Sequence, residues 1–370
     1  MADAKEDKTT KVPKKPARKK DAQLPASAFN NQQIDLFRDF LANPGPERNA
    51  LSNAIDLWDS VPRYAISRTK QDGMRIPGGF LPLVDLDFQY KTQSFTAQIR
   101  PARLEERDKN GTLTGKTVEY YPSGREELVE HALRKLAAEQ ISGFLDQANF
   151  RSGVTFTLHQ LRTELAERGH AMKYADLVES LDVMNLANIR LIDKSSNKKD
   201  PSLVSQAYLP TLVKVNKDDR AADPEAKWLV QFHSALTASI TQLTYRQFNY
   251  QRLMNCQSQL ARWLISQLVL KYTYAAPGNT FTMLYSTIKR DSGLLDNYSR
   301  ARAAIEMLDE AFDELQREGV LMSVKKDART GVRGKIEDVT YTLAASIKFS
   351  SEQKAANKRL STNSAILGTV

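Results

Sequence analysis

The feature that most restricts how this chain can fold is an order of elements that occurs twice, each time marked by one tripeptide. Thr155-Phe156-Thr157 stands ahead of LHQLRTELAERG, and Thr280-Phe281-Thr282, 125 residues on, stands ahead of MLYSTIKRDSG. Around each marker the apolar spacing predicts the same succession: a helix, a short helix, a longer helix and two strands. In the first copy Ser123 and Glu126 have capping-box spacing, and Leu128, Ala132, Leu133, Leu136, Ala137 and Ile141 follow at helical intervals. Thr157 is placed to cap a second helix with the stripe Leu158, Leu161 and Leu165, which Gly169 ends. A third helix carries Tyr174, Leu177, Leu181 and Met184 on one face. Residues 189–192 and the run YLPTLVKV, around the polar loop SSNKKDPS, read as strands.

In the second copy a helix from Asn255 to Tyr272 lines up Leu260, Trp263, Leu264 and Leu268, and TFTMLYSTIKRDSG predicts a short helix stopped by Gly293. The third helix sets Tyr298, Ala301, Ile305, Leu308, Phe312 and Leu315 on one stripe. VLMSVKKD and VTYTLAA then form strands joined by the basic turn ARTGVRGKIE. Three helices closed by a two-stranded wing make a winged helix-turn-helix. The expected fold class is therefore α+β, with two tandem winged-helix domains and a disordered basic N-terminal arm. The expected division is an arm at 1–48, an N-terminal winged helix at 49–225, a C-terminal winged helix at 226–350 and a flexible tail at 351–370. Ahead of the first copy, TQSFTAQIR and GKTVEYY read as strands flanking a turn near Asn110-Gly111.

Charge narrows the partner. With 53 Lys and Arg against 44 Asp and Glu, the net charge of +9 and pI near 9.3 favour a polyanion. Residues 1–22 hold Lys5, Lys8, Lys11, Lys14, Lys15, Arg18, Lys19 and Lys20 without apolar periodicity, which predicts a disordered basic arm, either a solubilising tail or one that attracts DNA phosphates. That head lacks the apolar stretch of a secretory signal. No run reaches the roughly 20 apolar residues of a membrane helix, and Cys256 stands alone among apolar neighbours as a buried structural thiol. A cytoplasmic protein without cofactor or metal is expected. His131, His159, His170 and His233 form no HExxH or His-x-His pattern, and neither a phosphate-binding GxxxxGK[ST] loop nor a GxSxG elbow occurs. Catalysis is not expected.

A recognition helix reads bases with its N-terminal residues while wing and turns hold phosphates. In the second copy those places are filled by Asn297, Tyr298, Ser299, Arg300 and Arg302, by Lys289 and Arg290 at the end of the preceding helix, and by Lys325, Lys326, Arg329, Arg333 and Lys335 in the wing. The far half of the helix is acidic at Glu306, Asp309, Glu310, Asp313 and Glu314, an order that opposes the helix dipole. Tyr298, on the stripe, is open to a core role as well as a base contact. The first copy is less basic: Lys173 opens its third helix, but Asp176, Glu179 and Asp182 follow; Arg162, Arg168, Lys194, Lys198 and Lys199 could touch phosphate, or this copy mainly holds its twin or a second protomer.

The run from QLARWLISQLVLKYTY through TFTMLYSTIKRDSGLLDNYSRARAAIEMLDEAFDELQREGVL into the wing resembles the replication initiators of theta-type plasmids, above all those of broad-host-range P- and Q-group plasmids. The strands QYKTQSFTAQIR and KTVEYYPSGREELVEHALRKLAAEQ resemble the start of the first domain in that family, so the likeness covers about residues 80–345. It implies sequence-specific binding of double-stranded origin iterons by both domains, melting of adjacent DNA with single-stranded DNA as a further ligand, and partnership with the host replicative helicase and initiator. It also implies a monomer–dimer equilibrium in which monomers open the origin. Carried over by position, Asn297, Ser299, Arg300 and Arg302 are the second domain's readers, whereas the acidic third helix of the first domain departs from a basic reader. Gln33-Ile34-Asp35-Leu36-Phe37 is similar to the pentapeptide that binds the bacterial sliding clamp, with Ile34 in place of Leu. The bland alternative is a helix start that packs Phe37, Phe40 and Leu41 inward. A winged-helix transcriptional repressor or partition protein is the alternative function.

Overall fold

The chain enters its fold at β1 (Leu51–Ile55), makes a 3-10 turn at Trp58–Ser60, and continues through α1 (Arg68–Met74), β2 (Val84–Tyr90), β3 (Gln93–Arg100), β4 (Ala102–Arg107) and β5 (Leu113–Tyr120). The computed structural model describes residues 50–107, 112–139, 143–146, 148–196, 202–215, 227–242, 245–331 and 336–367. The expected arm 1–48 with Gln33–Phe37, the Asn110-Gly111 turn, Lys198, Lys199, Arg333 and Lys335 lie outside the described residues.

The first copy runs α2 (Gly124–Glu139), β6 (Gly143–Asp146), β7 (Arg151–Phe156), α3 (Leu158–Glu167), α4 (Tyr174–Leu186), β8 (Asn188–Asp193), β9 (Ser202–Ala207), β10 (Thr211–Val213) and β11 (Trp228–Gln231). Thr157 opens α3 with a full capping box, its side chain accepting from Gln160 N–H and Gln160 accepting from Thr157 N–H. At α2 the Glu126 carboxylate accepts from both the N–H and the hydroxyl of Ser123, at 2.9 and 2.7 Å. Leu133, Ala137, Leu161, Leu165, Leu177 and Leu181 are buried where the three helices meet.

After α5 (Ser234–Thr241), β12 (Tyr245–Asn249) and α6 (Tyr250–Asn255), the second copy runs α7 (Gln259–Lys271), β13 (Thr280–Leu284), α8 (Tyr285–Ser292), α9 (Ala301–Arg317), β14 (Leu321–Thr330) and β15 (Ile336–Ala345), and α10 (Ile347–Leu367) follows. Its sheet has the winged-helix order β13-β15-β14. The expected helix from Asn255 to Tyr272 is broken at Cys256–Ser258: Cys256 is extended and Ser258 caps α7 anew. Cys256 is free and buried, and burial pushes its thiol up to about 12.

The two markers are not equivalent. Thr157 caps a helix at once, whereas Thr280–Leu284 is strand, with Thr282 opposite Thr342, and α8 begins only at Tyr285. The N–H and hydroxyl of Ser286, in the first turn of α8, are both taken by Asp338 of β15, at 3.0 and 2.6 Å. The strand that pairs with β5 is β4 and not TQSFTAQIR, which forms β3 between β2 and β8. Pro101 separates β3 from β4 and, lacking an N–H, ends the ladder there.

Two boundaries move. β11, beyond the expected division at 225/226, pairs with β7 and β10 of the first copy, and β12 pairs with β1. The run YLPTLVKV, expected as the second wing strand of the first copy, instead forms β10 and pairs with β11; the strand opposite β8 is β9, and β11 stands between β10 and β7, a place that has no counterpart in the second copy. Residues 351–367, expected as a flexible tail, belong to α10.

One continuous apolar core spans both copies, from Ala54 and Trp58 to Leu343 and Phe349. Between the copies lies the segment around Trp58–Ser60. There Arg63 meets Asp59 and Glu130, each at 3.0 Å, and Arg134 meets Asp59 at 2.8 Å, all buried. Trp58 Nε1 donates to Glu130 at 2.6 Å, and the Tyr64 hydroxyl donates to the same carboxylate. From α7, Gln267 donates to Asp59 O at 3.1 Å, Gln259 to Tyr64 O at 2.9 Å, and Arg262 pairs with Glu127 at 3.0 Å.

Burial opposes ionisation of Asp59, but Arg134 and then Arg63 hold its carboxyl well below the usual range. Asp59→Ala leaves two buried guanidinium groups short of a partner and is expected to cost about 3–5 kcal/mol in denaturant unfolding. Burial pushes the imidazoles of His131 and His233 down to about 3. An unfolded histidine takes its proton near pH 6.5, so below that pH the unfolded state holds more protons and stability falls as pH falls. Glu127, raised by burial, acts in the opposite sense. The readout is therefore a difference: His131→Gln is expected to flatten the fall between pH 6 and 5 by about 1 kcal/mol per pH unit.

Candidate nucleic-acid interface

An exposed basic stretch of the second copy begins just beyond the end of α8. Gly293 stops that helix at φ +63, a region open to glycine, and a Cβ there would stand 2.9 Å from the Ala65 Cβ of the first copy. A 3-10 turn at Leu294–Asn297 buries Leu295 and turns the chain outward. Tyr298 precedes α9 instead of lying on its stripe, and it is half-buried against the core. Ser299, Arg300, Ala301 and Arg302 are exposed, as is Asn297, whose amide donates to Leu294 O at 3.4 Å.

Arg300 is the N-cap of α9 and makes no side-chain cap. Ser, Thr, Asp or Asn ordinarily satisfies one of the open N–H groups at such a place, as Ser67, Thr157, Asn249 and Ser258 do for α1, α3, α6 and α7. An uncapped N-terminus beside two guanidinium groups offers donors and positive charge to an anion together. Among the described residues neither Arg300 nor Arg302 has an ion-pair partner.

The acidic half of α9 has structural employment. Glu314 accepts from the N–H groups of Gln257 and Ser258, at 2.6 and 3.2 Å, where α7 begins. Asp309 accepts from the Tyr341 hydroxyl at 2.8 Å and pairs with Lys326.

The other predicted contacts divide in the same way. Lys325 is exposed and, among the described residues, has no ion-pair partner. Arg329, four residues on and so on the same face of β14, pairs with Glu337 at 3.2 Å while remaining mostly exposed. Lys326 points the other way, to Asp309. Lys289 lies 3.8 Å from Asp296. Arg290 lies at the seam between the copies: it meets Asp291 at 2.7 Å and donates to Gln89 of β2 at 3.1 Å, while Asp291 accepts from Gln89 N–H at 3.1 Å. Arg333 and Lys335 lie outside the described residues.

The first copy repeats the main theme. Lys173 is an exposed N-cap of α4, again without a side-chain cap. Tyr174, expected on the buried face, is 41% exposed, with the Arg162 guanidinium 5.0 Å from its ring centre and His159 Nδ1 3.3 Å from its hydroxyl. The acids that weakened this helix as a reader are spent internally. Glu179 pairs with Arg125 and, at 3.5 Å, with Arg68; Asp176 lies 4.0 Å from Arg125, and Asp182 pairs with Lys214. The sequence held no sign of this, because Arg68 and Arg125 are brought to α4 from α1 and α2. Among the described residues no group of three or more His, Cys, Asp or Glu could hold a metal ion, and no helix is long and apolar enough to cross a membrane.

No protein-family model matches the chain, and no curated protein matches it. Among solved structures, a selenomethionine derivative of domains 2 and 3 of RctB is similar over 77% of this chain and 99% of its own, at 11% identity and a TM-score of 0.44. RctB-155-483, again domains 2 and 3, is similar over 77% and 98%, at 9% identity and a TM-score of 0.42. Pi initiator protein in complex with iteron DNA is similar over 81% and 98%, at 9% identity and a TM-score of 0.33. Similarity at this level adds nothing to the geometry already described.

Exposed side chains can be removed with little effect on stability. Arg300→Ala with Arg302→Ala is expected to weaken binding of duplex DNA by about 10- to 100-fold, roughly 1–3 kcal/mol, with an unchanged thermal midpoint. Arg290→Ala, which unties Gln89, is expected to lower the midpoint while leaving the salt dependence of binding close to that of the parent. Fluorescence anisotropy and calorimetry on the same preparations check both.

Proposed function

We propose that the chain is a replication initiator of the plasmid type that docks on the directly repeated iterons of an origin through its two winged helices. The observation that carries this reading is the polarity of α9, with an uncapped, exposed end bearing Ser299, Arg300 and Arg302 and a far end whose acids are partly engaged in packing. Only the first end suits a polyanion. Arginine can bridge two acceptors on guanine, and Lys325 and Arg329 lie where a wing meets phosphate. Lys173, with Arg162 beside it, supplies the corresponding end of the first copy. The plasmid-initiator resemblance in residues 80–345 supports the assignment to initiation over repression alone.

In this reading binding energy, without a cofactor or covalent chemistry, opens the adjacent duplex and the separated strand becomes a further ligand. A monomer–dimer equilibrium sets how much active protein is present. The lysine-rich arm attracts phosphate, and Gln33–Phe37 hooks the bacterial sliding clamp, with Leu36 and Phe37 filling an apolar cleft and Gln33 hydrogen-bonding at its edge. The host replicative helicase and initiator complete the assembly in the bacterial cytoplasm. A winged-helix repressor or partition protein would share the DNA contacts without the clamp hook.

The test is binding to a duplex carrying the repeats beside the protein's own gene against a scrambled duplex over a salt series. A preference lost in the Arg300→Ala, Arg302→Ala variant is expected; equal and steeply salt-dependent binding to both would sink the proposal. Leu36→Ala with Phe37→Ala is expected to lower plasmid replication severalfold in cells while repeat binding stays at parental affinity. Unchanged replication would favour the repressor.

A further inference from the structure

α10 is held against the body on one side only. Ser346 caps it by accepting from Phe349 N–H at 3.0 Å, and Phe349 packs on Tyr272. Arg246 of β12 donates to Gln353 at 3.0 Å and to Asn357 at 2.6 Å, Arg252 of α6 pairs with Glu352 at 2.7 Å, and Asn357 donates to Thr273 O at 2.8 Å. These bonds come from β12, α6 and the end of α7, so the orientation of the helix is set at several points along its inner face.

The outer face is basic. Ile347, Lys348, Ser351, Lys354, Ala355, Lys358 and Ser361 are exposed, and Glu352, the one acid between residues 347 and 367, is turned inward to Arg252. Lys348 to Lys358 spans about 15 Å at the helical rise of 1.5 Å per residue, and the residues between the lysines on that face are small. No exposed acid of α10 opposes these lysines.

We propose that the outer face of α10 is a second, sequence-independent contact to the phosphate backbone of duplex DNA. The inference rests on the proposed DNA-binding function. It adds to that function a contact that sets affinity and salt dependence, while α9 sets preference. Each phosphate neutralised by a lysine releases condensed counterions, so each contact adds about 0.9 to the slope of log affinity against log salt on B-form DNA.

The test uses the full chain with Lys348→Gln, Lys354→Gln and Lys358→Gln combined, titrated with repeat and scrambled duplexes from low to moderate salt. Affinity for both duplexes is expected to fall about 10- to 100-fold at low salt, with a slope shallower by roughly 2–3 and an unchanged ratio between the duplexes. Parental slope and affinity would overturn the proposal, as would a loss confined to the repeat duplex. Should the triple variant fold poorly, each single variant in a folded preparation is expected to lower the slope by about 1, and no change in any of them has the same negative meaning. If the parent itself shows no preference for repeats, the initiator reading fails. The slope difference still decides the role of α10.

Discussion

The arrangement depends on a buried set of charges that cannot be pulled apart cheaply. Asp59 and Glu130 stand between the guanidinium groups of Arg63 and Arg134, with Trp58 and Tyr64 donating to the Glu130 carboxylate. Desolvating four charges is costly, and the cost is offset only while every member keeps its partners. The segment that carries Trp58 to Tyr64 is thereby fixed against α2 on one side. Through Gln267, Gln259 and the Glu127–Arg262 pair, it is fixed against α7 on the other. Apolar contact alone is non-directional and would let the copies slide; hydrogen-bonded charges define one register. The spacing between the two uncapped helix ends follows from it.

From that frame the polarity of α9 has two causes. A helix favours acids early and bases late, and α9 inverts this order. Glu314 and Asp309 face the N-terminus of α7 and the β14–β15 sheet, where they receive backbone and side-chain donors. The unfavourable dipole term, a few tenths of a kcal/mol to about 1 kcal/mol per residue at exposed positions, is small beside such charge-assisted bonds. At the other end Arg300 and Arg302 have no comparable bond within the described protein, and that is where an external anion fits.

The copies diverged around the same plan. The second keeps a separate three-stranded sheet, while the first inserts β11 beside β7 and lends β8 to the sheet with β2 and β3. Its α4 carries acids, but Arg68 and Arg125 neutralise Asp176 and Glu179. What remains exposed is the helix start, Lys173 and Tyr174.

Helical and strand periodicity, capping residues and glycine stops are local matters, and the sequence by itself determined the three-helix order of each copy, the wing of the second, the cap at Thr157, the stops at Gly169 and Gly293 and the buried thiol of Cys256. It also placed Arg300 and Arg302 at the start of a helix, although the expected stripe reaches one residue too far, to Tyr298, which with Asn297 and Ser299 precedes the helix. Contacts between segments distant along the chain were not legible there. The pairing of β5 with β4, of β11 with β7 and of β12 with β1, the seam role of Arg290, and the neutralising of α4 by Arg68 and Arg125 join residues up to about 200 positions apart. A lysine or arginine looks the same in sequence whether it faces solvent or a carboxylate from elsewhere. Only the tertiary structure decides which charges are spent inside the protein and which remain for a partner, because a charge's availability depends on what folding brings within about 4 Å of it.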